Sequence, residues 1–101
     1  MAKIVVLFNL KPGVSVADYE KFARETDLPI VNRLPSVNKF EVYKATGLLS
    51  GGPSPYQYIE LIDVKDLGQL GKDVATEQMQ KVAATFRSFA DSPQFIVSEH
   101  L

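Results

Sequence analysis

An α+β fold, a single antiparallel sheet with helices in the order βαββαβ, follows from three observations on this 101-residue chain. Four short runs rich in β-branched and aromatic residues, Lys3–Leu10, Val37–Thr46, Tyr56–Val64 and Gln94–Glu99, are bounded by turn residues. Apolar residues recur at helical spacing between the first and second runs, and again between the third and fourth. The balance of 46% hydrophobic and 23% charged residues at net charge −1 is that of an ordinary globular chain. It is long enough for one domain, residues 1–101, to bury about two-thirds of its surface on folding.

The first strand ends at the turn signal Lys11-Pro12-Gly13. Ser15 then offers an N-cap, with Asp18 three residues on as a weaker form of the capping-box acid. Apolar residues at 16, 19, 22, 23, 30, 31 and 34 predict a helix from Val16 to Thr26. Pro29 lacks an amide donor and disfavours helical geometry at Leu28, so a kink or restart is expected until about Arg33. Leu34-Pro35-Ser36 closes that unit before the second strand. The glycine- and proline-rich GLLSGGPSP, residues 47–55, is a loop. After the third strand, Asp66 caps a short turn through Leu70 that Gly71 ends. Thr76 opens the second main helix, with Met79, Val82, Ala83, Phe86, Phe89 and Ala90 on one face. Ser92-Pro93 stops it before the last strand. This order is the ferredoxin-like, split-βαβ arrangement.

The sheet pattern predicts more than a monomer. Ile4, Val6, Phe8 and Leu10 occupy one face of the first strand, and Val5 and Leu7 the other. The third strand repeats this, with Ile59 and Leu61 opposed to Tyr58, Ile62 and Val64. A sheet open to water on one side alternates apolar with polar residues, and the helices cover one face only. A second face this apolar calls for a partner surface, and a homodimer packed sheet to sheet supplies one.

Several classes are excluded by what is missing. No cysteine is present, so disulfides, thiolate metal sites and a cysteine nucleophile are ruled out. One histidine, His100, makes a zinc or haem site or a Ser-His-acid triad a poor fit, and no metal or cofactor is expected. Lysines are scattered near strand ends instead of forming a basic footprint, which argues against nucleic acid. The apolar run Ile4–Phe8 is far below the roughly 20 residues that cross a bilayer, and the N-terminal stretch is too quickly interrupted for a signal peptide. A cytoplasmic protein without membrane attachment is expected. The 47–55 loop matches no phosphate-binding spacing.

Asp27 is the sharpest candidate. A helical wheel puts it inside the apolar arc, where a carboxylate loses hydration, holds its proton more tightly and becomes a candidate general acid or base. With Pro29 two residues on, Asp27 is equally placed to cap a restarted helix. Glu60 lies mid-strand between Ile59 and Leu61, with Tyr58 on its face and Tyr43 expected beside it from the adjacent strand. An acid with tyrosines in an apolar cavity suits a polar aromatic ligand; pairing with Lys44 or Arg33 across a dimer is the alternative. Asn9 shares the face of Val5 and Leu7. It is a ligand candidate whose plainer role is bonding a strand end. Asp27 and Glu60 are thus the candidate catalytic pair, and Asn9, Tyr43 and Tyr58 the candidate ligand contacts.

The segments IVVLFNLKPGV, DLPIVNRLPSVNKFEVYKATGLL, PYQYIELIDVKD and DVATEQMQKVAATF together resemble the REDY-like, or HapK, family within the dimeric α+β barrel superfamily. The resemblance implies a homodimer and an association with prodigiosin biosynthesis, in the making of the bipyrrole half of that pigment. Related barrels include cofactor-free oxygenases, polyketide cyclases and EthD-like proteins, several with His or Tyr at the position of Asp27. This chain has an acid there and no Trp. Two functions are expected on that basis: an accessory protein that binds an aromatic or pyrrolic small molecule, or a cofactor-independent enzyme acting on one. A dimeric interaction module without a ligand is the third.

Overall fold

The computed structural model describes residues 2–101. Its strands are β1 (Ala2–Leu10), β2 (Val37–Lys44), β3 (Tyr58–Val64) and β4 (Ala90–Glu99). They form one antiparallel sheet in the order β2-β3-β1-β4, with both central strands apolar on each face. Helices α1 (Val16–Phe22) and α2 (Leu28–Val31) connect β1 to β2, and α3 (Leu67–Val74) and α4 (Glu77–Phe89) connect β3 to β4. This is the ferredoxin-like α+β fold. No helix among the described residues is long and apolar enough to cross a membrane.

The first helix does not break at Pro29. A π-helical turn, Ala23–Asp27, joins α1 to α2, and the Leu28 amide bonds the Ala23 carbonyl five residues back. In regular α geometry the Pro29 ring would press on the carbonyl four residues before it, and the wider turn accommodates the ring without a restart. Asp27 therefore makes no capping hydrogen bond.

Other boundaries differ for local reasons. β2 ends at Lys44 and β3 begins at Tyr58, because Ala45 and Gln57 make the last link across the pair before the loop departs. α3 runs through Gly71 to Val74, since the Asp66 carboxylate caps it and Leu70 anchors it against the core. A helical glycine costs only about 1 kcal/mol relative to alanine. β4 starts at Ala90, before Ser92-Pro93. As an edge strand it tolerates the missing proline donor, and its pairing with β1 shifts register between Leu7 and Asn9. Ser92 sits there at φ 47°.

The core fills the space between helices and sheet. Phe8 is fully buried and its ring meets Tyr19 from α1, Tyr58 from β3 and Phe86 from α4 at centroid separations of 5.5, 5.5 and 4.9 Å. One side chain thus ties both helices to both central strands. Replacing Phe8 by alanine is expected to cost about 3–5 kcal/mol. Urea denaturation measures this, and a loss below 1 kcal/mol would mean that the cluster does not organise the core.

Candidate functional site

Between the sheet and the helices lies a cavity of about 600 Å³. Its walls are mostly apolar: Ile4 and Ile62 from the sheet, Phe40 from β2, and Met79, Val82 and Phe86 from α4 are among them. Two buried acids interrupt this lining, Asp27 and Glu60, at 5% and 4% exposure. They arrive from different elements. Asp27 closes the π turn on the inward side of the first helix. Glu60 sits on central strand β3, where strict alternation sends Tyr58, Glu60, Ile62 and Val64 toward the helices.

No cation among the described residues forms an ion pair with either acid. Asp27 has no hydrogen-bond or ion-pair partner among the described residues, and burial alone pushes its carboxyl up to about 7. For Glu60, burial and then the neighbouring Asp27 charge push it up to about 8. Tyr19 opposes this by donating its hydroxyl to Glu60 Oε2 at 3.4 Å. The Tyr19 phenol is itself raised far above its ordinary range, by burial first and then by Glu60 and Asp27. Near neutral pH the two carboxyls therefore hold protons that exposed acids have lost. Such a pair can donate or accept a proton at a molecule in the cavity. No group of three or more His, Cys, Asp or Glu side chains among the described residues is placed to hold a metal ion.

The other candidates lie elsewhere. Tyr58 faces the helices but turns its hydroxyl away from the cavity, donating to Glu20 Oε2 at 2.7 Å. Lys44 Nζ lies 3.2 Å from the same oxygen, and Tyr58 first, then Lys44, hold Glu20 below the usual carboxylate range. These groups line a separate hollow of about 150 Å³. Tyr43 is not beside Glu60. In the register of β2 and β3 it pairs with Ile59 while Val42 pairs with Glu60, so Tyr43 projects from the opposite face and bonds Glu41. Glu60 faces the helices and accepts from Tyr19, while Lys44 of the same chain bonds Glu20. Asn9 clamps the end of the 47–57 segment: its Nδ2 donates to the Pro55 carbonyl at 3.0 Å and its Oδ1 accepts from the Gln57 amide at 2.9 Å. His100 is exposed near the chain end. Periodicity makes Tyr19 a core position. Its helical spacing beside Phe22 and Ala23 gave no sign that its hydroxyl reaches Glu60.

Comparison with known proteins places this geometry. A family profile described as "REDY-like protein HapK" matches residues 2–101. The chain belongs to the REDY-like HapK family. The crystal structure of HapK from Hahella chejuensis has a TM-score of 0.83 to this REDY-like chain at 24% identity, covering 100% of this chain and 93% of that one. SnoaB, a cofactor-independent oxygenase from Streptomyces nogalater, superposes with a TM-score of 0.78 at 12% identity, covering 99% of this chain and 92% of that one. A dimeric protein of unknown function with a ferredoxin-like fold from Bacteroides fragilis gives 0.66 at 16% identity, covering 98% and 95%. At these identities the likenesses establish the fold. A search of curated proteins returns no match.

The raised carboxyls make a stability prediction for this REDY-like protein. Asp27 and Glu60 bind protons more tightly folded, at about 7 and 8, than at their ordinary values of 3.8 and 4.5. The native state then carries more protons than the unfolded chain between about pH 4 and 8, so stability falls as pH rises through that window. Asp27→Asn should flatten part of this fall and raise stability at pH 8.5 by roughly 2–4 kcal/mol. Urea titrations at pH 5, 7 and 8.5 (about one linkage window) measure it, and stability that rises with pH would contradict the buried, unpaired state of Asp27.

Proposed function

We propose that this protein is a homodimeric small-molecule-handling protein whose sheet–helix cavity binds a largely apolar, aromatic or pyrrolic compound. The observation that carries this is the cavity itself, about 600 Å³ of mainly apolar wall broken by two buried acids. A core built only for stability fills such a space, because empty apolar volume costs packing energy. The size and lining, with few convergent polar groups, suit a ligand of drug-like dimensions. Membership of the REDY-like family supports a role beside enzymes of secondary metabolism, including prodiginine bipyrrole formation, and a cytoplasmic setting. Native mass spectrometry of protein purified from its own host is expected to show a retained small molecule. Ala83→Trp, which fills the cavity from α4, should weaken that retention at least about tenfold, a change of 1.4 kcal/mol. Ligand-free protein that also fails to bind any apolar probe would refute the cavity's role.

The dimer rests on the opposite sheet face. Val5, Leu7, Ile59 and Leu61 stand on it without helical cover, only partly buried, and Ile96 is 44% exposed. The dimeric Bacteroides fragilis neighbour supports the same association here. Sedimentation at micromolar concentration should show a particle of twice the 11.2 kDa chain mass, and Leu61→Asp should return it to the monomer. A monomeric parent protein would remove the dimer from the proposal.

A second reading, turnover without a cofactor, is favoured by one observation: Asp27 and Glu60 titrate near neutrality on the wall of the same cavity. General acid–base groups work best in that range, and SnoaB, similar in fold, is a cofactor-independent oxygenase. Under this reading Asp27→Asn abolishes turnover and keeps ligand affinity. Unchanged pathway output in cells carrying that substitution would leave only the binding role.

A further inference from the structure

Asp27 is 5% exposed, lines the cavity and has no hydrogen-bond or ion-pair partner among the described residues. Glu60 is 4% exposed, lines the same cavity and, among the described residues, receives only the Tyr19 hydroxyl. A buried carboxyl without donors is costly, and two side by side cost more, unless something brings N–H or O–H groups to them. The cations among the described residues do not. Lys11 and Arg87 line the cavity but are exposed, and neither forms an ion pair with either acid. Asp91, also exposed on the lining, adds acceptors and no donor. The carboxyl oxygens reach the cavity surface, so water donates to them there until an occupant displaces it, and an occupant with N–H or O–H groups takes over that role.

The rest of the lining describes the occupant's body. Phe40, Phe86, Phe95 and Met79 offer flat aromatic and polarisable surface. Ring faces around a site that holds two carboxyls also favour positive charge. An anionic ligand would meet like charge, and a ligand offering only acceptors would bind the acids only while both are protonated. We propose that the cavity selects a compound with a flat apolar body and a basic nitrogen, whose N–H groups are received by Asp27 and Glu60. This deepens the small-molecule reading given above and rests on it.

Binding such a cation displaces protons from the carboxyls to solvent, and no other group changes its state. Affinity for a cation should therefore rise from pH 6 to pH 8.5, across the window in which Asp27 and Glu60 ionise. An amine of lysine-like basicity stays charged throughout, with a pKa of about 10. Affinity for an acceptor-only analogue should fall over the same range.

Calorimetric titration of the intact protein with three probes of one shape tests this: naphthylmethylamine, acetylnaphthalene and naphthoate. At pH 8 the amine should bind at least about tenfold more tightly than acetylnaphthalene, a difference of 1.4 kcal/mol, and naphthoate least. Titration in two buffers of different ionisation heat should show proton release with the amine only. Asp27→Asn and Glu60→Gln, each checked for native circular dichroism, should each shrink the amine's advantage over acetylnaphthalene at pH 8 and reduce the proton release that accompanies amine binding. Equal or tighter binding of acetylnaphthalene, or amine affinity that falls with pH, overturns the basic-nitrogen inference and leaves the cavity reading standing. Binding of no probe at all overturns both.

Discussion

Two carboxyl groups held out of water on the wall of one cavity are the constraint around which this molecule is arranged. Each arrives by a separate route. Glu60 is carried by β3, the strand between β1 and β2, and faces the helices because alternation along the strand leaves no other direction. Asp27 is carried by a helix that would have broken at Pro29 without its π turn. Neither position is suited to folding, since burial penalises the charged form of both groups. The surrounding structure has to supply the stability that these two sites subtract.

It does so through the aromatic cluster beside the cavity. Phe8, Tyr19, Tyr58 and Phe86 join sheet and helices in one packed unit, and Phe22 and Phe89 extend it. Tyr19 belongs to both worlds. Its ring packs in the cluster while its hydroxyl touches Glu60, so the packed region orients one acid of the open region. Phe86 has a similar double position, touching Phe8 on one side and lining the cavity on the other. A packed aromatic cluster thus adjoins the cavity and forms part of its wall.

The two faces of the sheet then divide the labour. The helix-covered face holds the cavity and its two acids. The opposite face carries the partly buried Val5, Leu7, Ile59 and Leu61. Tyr43 illustrates how sharply this partition is drawn. A one-residue step from Val42 sends it to the far face from Glu60, where it bonds Glu41.

The order of strands and helices, the apolar second face and the candidacy of Asp27 and Glu60 were legible in the amino-acid sequence, because they depend on local periodicity. So was the family, because its resemblance runs the length of the chain. Other features depend on relations between distant segments. The Tyr19–Glu60 bond joins residues 41 positions apart. The separation of Tyr43 from Glu60 turns on strand register, and the role of Asn9 on a loop 46 to 48 residues downstream. Pro29 signalled a kink or restart, and the structure accommodates it with a π turn that leads into α2. Sequence alone determined which residues prefer to be buried and in what order the elements come. Tertiary structure decided which buried groups meet, because hydrogen bonding and desolvation depend on distances that periodicity does not encode.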